Sequence, residues 1–325
     1  IHTVQVIANN DYMAPAVIRL GEGETVEISF DHLTHDYHRY QYVLTHCNAD
    51  WTPSDLSETE YLDGFNDNPI EDHDISVNTT LPYTHYRLTL PNDQVRPKLS
   101  GNYRLVVYDD AEGKNKPAFS TCFRILEKEV NISAQVSSDT EIDRNKTHQQ
   151  VSFSIQHKGY PIRNPQNEIK VHVLQDNRTD NEVTNLQPSY VGPDQLRYEH
   201  NRALIFPAGN EYRRFEMVST RYASQGVESI RYHAPYYHVT LQPDLPRLLN
   251  YSYDQDQNGR FVIRYDEAVD NNTEADYFFV HFSLLWENPL TEGKFYLQGA
   301  FTYDDFNEEN LLKYNPETLM SVPDC

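Results

Sequence analysis

Short runs in which apolar and polar residues alternate, each closed by Gly, Pro, Asn or Asp, recur along this chain and restrict it to a β fold. In "TVEISF" (25–30), Val26, Ile28 and Phe30 share one face while Thr25, Glu27 and Ser29 share the other. That is the period of a half-buried antiparallel strand. "HRYQYVL" (38–44), "HYRLTL" (85–90), "NYRLVVY" (102–108) and "STCFRIL" (120–126) repeat the pattern, with "IHTVQVI" and "AVIRL" ahead of them. No long window carries the 3.6-residue period of an amphipathic helix. Together these runs read as a seven-strand Ig-like sandwich.

The pattern restarts after "EKEVN" with "NISAQV" (131–136), "QVSFSIQH" (150–157), "EIKVHVLQ" (168–175), "RALIF" (202–206), "RRFEMVS" (213–219) and "YYHVTLQ" (236–242). Pro243 and Pro246 in "QPDLPR" cannot donate to a strand ladder, which makes that segment a joint. A third group of runs, "YSYDQDQNGRFVIRY", "DYFFVHFSLLW" and "GKFYLQGAF", has too few strands to close its own sheet edges. The expected fold is all-β: tandem Ig-like β-sandwich domains over 1–127 and 128–244, with a truncated or partial third β-domain over 245–325. A chain of 325 residues is long enough for more than one core.

Charge narrows the partners. With 49 acidic against 27 basic residues, the formal charge of −22 repels phosphate backbones and anionic lipid surfaces, so nucleic acid is excluded. No apolar run reaches the length of a spanning helix, so no direct membrane insertion is expected. The chain begins "IHTVQVIAN", already strand-like and without a Met, a basic n-region or an apolar leader, so either a removed signal peptide, and with it export, or a trimmed chain is expected. Three cysteines, Cys47, Cys122 and Cys325, leave at least one unpaired in a monomer. A Cys47–Cys122 bridge is the alternative to a buried, unpaired Cys47, and geometry decides between them.

Candidate chemistry is sparse. Cys47 beside His46 suggests a thiolate and its base, but neighbours in a strand point to opposite faces. His32, His35 and His38 in "DHLTHDYH" suggest a metal, yet they fall in a turn without the helical spacing of a zinc motif. "DQDQNG" (254–259) resembles the first half of a calcium loop, but its twelfth position is Tyr265 rather than Glu, and "NG" is a hairpin turn signal. No phosphate loop, G-x-S-x-G elbow or C-x-x-C is present. The reading is a protein with no catalytic residues, no metal and no cofactor.

The stretch "THCNADWTPSDLSETEYLDGFNDNPI" (45–70) stands apart as a long connection with its own apolar residues, a kind of loop that is usually functional. "SDLSETEYLDG" suggests a short helical turn starting at Ser54, with Gly64 just past its end. Trp51, Tyr61 and Phe65 are expected to anchor the loop on the first sandwich, while Asp63, Asp67 and the other carboxylates face water or a partner. Trp51, Tyr61, Asp63, Phe65 and Asp67 are accordingly the candidate partner-binding residues; the alternative is that the aromatics only cap an open end of the sandwich.

"HCNADWTPSDLSETEYLDGFNDNPI", "SVNTTLPYTHYRLTLPND", "LSGNYRLVVYDD" and "ALIFPAGNEYRRFEMVS" resemble, in this order, the type IX secretion system plug proteins of the Bacteroidota. The resemblance runs to about residue 310. It implies a non-enzymatic, exported, periplasmic protein that binds and seals an outer-membrane β-barrel translocon. Members of that family continue after the "LQGAFTYDDFNEENLLKYNPE" region with a stretch that completes the third β-domain, whereas this chain departs from the pattern there and runs into "TLMSVPDC". The rival reading is a carbohydrate-binding or glycan-handling accessory β-sandwich, and an enzyme using the acidic surface is the third.

Overall fold

A computed structural model of the chain describes residues 1–247, 251, 253, 255–286, 290, 292–315 and 320–323. It is nearly all β, with several sheets. Its contacts divide into two units, one made of Ile1–Ile125, Glu211–Asn250 and Asp254–Cys325, the other of Leu126–Asn210 and Tyr251–Tyr253. The division differs from the sequence reading, because residues 211–244, assigned there to the second domain, pack with the first unit. Among the described residues, no helix is long and apolar enough to cross a membrane.

The first unit opens with β1 (His2–Ala8), β2 (Val17–Arg19), β3 (Val26–His32) and β4 (Tyr40–Cys47). There follow α1 (Glu58–Tyr61), β5 (Leu62–Gly64), β6 (Asn68–Pro69), β7 (Asp72–Ile75) and β8 (Thr84–Leu90). Then come β9 (Val95–Pro97), β10 (Gly101–Asp109) and β11 (Pro117–Leu126). One sheet has the order β1-β3-β8-β7 and the next β2-β11-β10-β4-β6, with β5 and β9 forming a separate ribbon. Alternation decides which residues turn inward: Val26, Ile28 and Phe30 from β3, Tyr42 and Leu44 from β4, and Tyr103 and Leu105 from β10 share one core cluster. The two sheets therefore bury their apolar faces in a common core.

That core is built on tyrosine, which needs its hydroxyl satisfied when buried. Phe30 stacks on Tyr86 at 5.1 Å, and Tyr103 stacks on Phe123 at 5.6 Å. Tyr86 donates to the His38 carbonyl at 3.0 Å and Tyr103 to that of Leu99 at 2.8 Å. The rings fill the interior while the hydroxyls reach backbone at its margin.

The second unit holds β12 (Asn131–Ser137), β13 (His148–Gln156), α2 (Pro165–Glu168), β14 (Tyr190–Val191), β15 (Gln195–Tyr198) and β16 (Ile205–Pro207). Its sheet runs β12-β13-β15-β14, with β16 also pairing β13. Phe153, Ile155, Leu196, Tyr198 and Leu204 form its core. The run "EIKVHVLQ" is not a strand here; only Val173 bridges to Val183, and Pro165 opens a single helical turn just before it.

The remainder of the first unit contains β17 (Val227–His233), β18 (Tyr236–Leu241), α3 (Asn271–Glu274) and β19 (Phe278–His281). β20 (Leu284–Leu285), β21 (Leu312–Asn315) and β22 (Met320–Pro323) complete it. β19 joins β18 in parallel, and β20-β22-β21 is a further small sheet. "RRFEMVS" and "RFVIRY" are not strands, although Glu216 N–H reaches Gln225 O at 2.9 Å and Asp266 N–H reaches Val218 O at 2.9 Å.

The cysteines are settled by register. Cys47 pairs with Asn102 on one side of β10, and Cys122 pairs with Arg104 on the other. Two strand spacings of about 4.8 Å each separate them, beyond the roughly 7 Å Cα limit of a disulfide. Both are free, Cys47 buried and Cys122 exposed. Cys325 lies outside the described residues.

Candidate functional site

The loop from β4 to β6 is assembled in three steps, each held by its own short-range bonds. Asn48 N–H donates to Thr52 O at 2.8 Å and Ser54 N–H to His46 O at 2.9 Å, folding residues 47–54 into a small hairpin. Trp51 sits at its tip with φ of 64°. Its carbonyl accepts from Arg104 Nη2 at 2.6 Å, and the Arg124 guanidinium lies 5.0 Å over its ring. Trp51 is thus a half-buried residue held by two arginines, outside the core proper.

The helical turn follows, starting at Ser57 rather than Ser54. The Glu60 carboxylate reaches back to accept from both the Ser57 N–H and its hydroxyl, each at 2.7 Å, the reciprocal bond of a capping box. Ser54 has a different task, with its hydroxyl 2.9 Å from His46 Nδ1. His46 Nε2 lies 3.2 Å from the Ser100 carbonyl oxygen, so both ring nitrogens have structural partners and neither serves Cys47. The Cys47 thiol faces the Thr45 carbonyl at 3.6 Å.

Tyr61 is the anchor the sequence suggests. It is buried, donates to Leu44 O at 3.2 Å, and packs its ring by His46 and Tyr103. After it, Leu62↔Pro97, Asp63↔Arg96 and Gly64↔Val95 pair β5 with β9. At Gly64 φ is 100°, and an added Cβ would stand 2.0 Å from Gln94 O, so only glycine fits. Asn66 then hooks the chain to β4, its side-chain amide accepting from Leu44 N–H and donating to Leu44 O, both at 2.8 Å.

Phe65 corrects the sequence expectation. It is 83% exposed and anchors nothing. Phe65 N–H bonds Gln94 O and Asn68 Nδ2 bonds Phe65 O, so its backbone is fixed while its ring projects. Asp63 is exposed as expected.

Asp67 is a second correction, because it is not a free surface charge. It accepts from the Tyr108 hydroxyl and from Lys114 Nζ at 2.6 Å. Desolvation pushes its carboxyl up, but the bonds from Lys114 and Tyr108 outweigh that and hold it below the ordinary range. Tyr108 is pushed up in turn, by desolvation and then by Asp67.

The other sequence candidates do not assemble. His38 pairs with Asp109 at 2.6 Å, His35 Nε2 with the Ser76 hydroxyl at 2.9 Å, and His32 Nδ1 with the Tyr40 hydroxyl at 3.1 Å. In "DQDQNG", Asp254 lies outside the described residues, and the Asp256 carboxylate accepts from the N–H groups of Tyr212 and Asn258. Among the described residues, no group of three or more His, Cys, Asp or Glu is placed to hold a metal ion.

What this loop belongs to is decided by likeness. Residues 1–127, which hold the whole of it, match the family model of the Type 9 secretion system plug protein 1st domain. By that domain the chain belongs to the type IX secretion plug family. The plug-family chain is also similar to a crystal structure at 2.30 Å of a hypothetical protein from Parabacteroides merdae ATCC 43184. That likeness has 47% identity and a TM-score of 0.95, over 99% of this chain and 81% of that one. No curated protein matches. Membership ties the chain to type IX secretion and the cell envelope, and speaks for a non-enzymatic role.

Sequence reasoning missed the other half of the plug-domain loop, the segment 92–97. Asn92 Oδ1 accepts from the N–H groups of Gln94 and Val95, both at 3.0 Å, and this turn presents β9 to β5. "PNDQ" is a recognisable turn signal. Nothing local says that the three residues after it pair with a loop 31 to 35 positions earlier.

Proposed function

We propose that this chain is an exported protein without catalytic activity that binds and seals the periplasmic end of the type IX outer-membrane β-barrel translocon. The family match over residues 1–127 carries the reading. With it goes the proposal that residues 1–127, where two sheets share one core, form an Ig-like sandwich. A wide aqueous barrel is blocked by something stiff and removable, and packed sheets with loops at their ends supply both properties. The loop supports a contact role for Phe65 and Asp63: an exposed aromatic on a fixed backbone, beside a carboxylate, costs little ordering on binding.

The test is recovery of the tagged chain from native cell envelopes. The expected companion is an outer-membrane barrel of very high mass, with recovery reduced about tenfold by Phe65→Ala, equivalent to about 1.4 kcal/mol. Retention on a glycan column without any barrel would instead support a carbohydrate-handling accessory module and sink the plug reading.

A further inference from the structure

The sheet of the second unit ends in a strand built unlike a protected edge. β12 pairs with β13 in an unbroken antiparallel register from Asn131↔Gln156 to Ser137↔Gln150, and among the described residues its other side carries no strand. Directly opposite residues share a face. Ile132, Ala134 and Val136 therefore lie on the same face as their partners Ile155, Phe153 and Val151. Phe153 and Ile155 belong to the core of the unit. Ile132 is nevertheless 66% and Val136 59% exposed, against 5% for Ile155. The apolar face runs one strand beyond its own cover.

Soluble proteins blunt an edge with a lysine, a proline, a bulge or a very short strand. "NISAQVS" has seven residues, no charge, no Pro, no Gly and no register shift. The opposite edge, β14, has only two residues. In a chain with 49 acidic and 27 basic residues, an uncharged strand is where two copies can approach without like charges directly opposed.

We infer that β12 is the pairing site for a second copy of this chain, antiparallel about a two-fold axis at Ala134. This register sets Ile132 against Val136 of the second copy and Ala134 against its own counterpart, joining the two exposed apolar rows. On the other face Asn131 meets Ser137 and Ser133 meets Gln135, all able to hydrogen-bond. A shift of one residue would set the core face of one copy beside the outer face of the other, so the alternation itself selects an isologous pair. One strand pair is smaller than a standard interface, which makes the dimer concentration-dependent. A charge of −22 on each copy makes it stronger at high salt.

The test is sedimentation velocity from low to high micromolar chain, at low and high salt. The mass is expected to rise toward twice the monomer with concentration, further at high salt. Ile132→Lys with Val136→Lys, at exposed positions that leave the circular dichroism unchanged, is expected to weaken the dimer at least tenfold. In a Cys122→Ser, Cys325→Ser background, Ala134→Cys is expected to crosslink to itself on mild oxidation and Ser137→Cys is not. A chain monomeric throughout, a dimer indifferent to the two lysines, or no crosslink at position 134 would overturn the inference. Capture of a different extended peptide on β12 by a chain that stays monomeric would overturn it as well.

Discussion

Tyr277 donates its phenol hydrogen to Asp31 at 2.6 Å, across 246 positions of sequence. The second oxygen of Asp31 takes His85 Nδ1 at 2.6 Å, and the Thr3 hydroxyl lies 2.6 Å from the same phenol. Nearby, Thr80 reaches Asp276 through its N–H and its hydroxyl, and Tyr83 donates to Ala275 O at 2.8 Å. The segment before β19 is thus tied to the first sheet by side-chain bonds rather than by strand pairing. Desolvation, then Asp31, pushes the Tyr277 phenol far above its ordinary range, so it remains a donor at every physiological pH.

Tyr277→Phe keeps the ring and removes that donor from a buried carboxylate. Leaving a buried acceptor short of a partner costs about 1–3 kcal/mol. Urea unfolding should show a lower midpoint with little change in slope. An unchanged midpoint would mean that water replaces the phenol at no cost.

Cys47 is buried and free, and Cys122 is exposed and free. Thiol labelling of the native protein should modify Cys122 well before Cys47, even though desolvation pushes the Cys122 thiol up. Denaturation should equalise the two rates. Peptide mapping reads the order directly, and a Cys47 that labels first in the native state would contradict its burial.

Asp143 gives the second unit a pH dependence. Hydrogen bonds from His148, and after it Thr147, hold its carboxyl down to about 2 from an ordinary 3.8. Its folded value is depressed, so the stability it contributes is present above about 3.8 and is lost as pH falls through about 2. Asp143→Asn should flatten the stability profile of the second unit in that window and lower its stability by a constant amount above it, up to neutrality. Carboxyl NMR finding Asp143 titrating at an ordinary value would remove the basis for this.

How far the sequence could be read depended on whether a strand's neighbours were close in the chain. "TVEISF" and "NYRLVVY" announce β3 and β10 because their inward residues are apolar without interruption and their partners supply the same pattern. "EIKVHVLQ" alternates as well, yet alternation states which face would be buried and not whether a strand lies within hydrogen-bonding reach. Phe65 fails for a related reason: aromatic identity indicates a large apolar surface, while the turn at Gly64 and the grip of Asn66 on Leu44 determine where it points. The packing of residues 211–247 with the first unit runs through the parallel pairing of β18 with β19, and the segment just before β19 is held by side-chain ties such as Tyr277 to Asp31, which have no sequence pattern at all.

The loop from Trp51 to Asp67 should separate into support and display when its residues are changed one at a time. Tyr61 fills core space, and truncating a buried aromatic to Ala typically costs about 3–5 kcal/mol, so Tyr61→Ala should destabilise the first unit strongly. Trp51 is held by a carbonyl bond that survives substitution and by a cation–π contact of about 0.5–1 kcal/mol, so Trp51→Ala should cost clearly less than Tyr61→Ala. Phe65→Ala and Asp63→Asn touch exposed groups and should stay within about 0.5 kcal/mol. Asp67→Asn differs from Asp63→Asn because it weakens the bonds to Tyr108 and Lys114, and it should lower the thermal midpoint while Asp63→Asn leaves it in place. Differential scanning calorimetry gives the stability order, and translocon recovery gives the binding order. Display requires the two orders to diverge at Phe65, with stability kept and recovery lost; if Phe65→Ala keeps both, the ring is an exposed residue on a structural loop and the contact lies on another part of the chain.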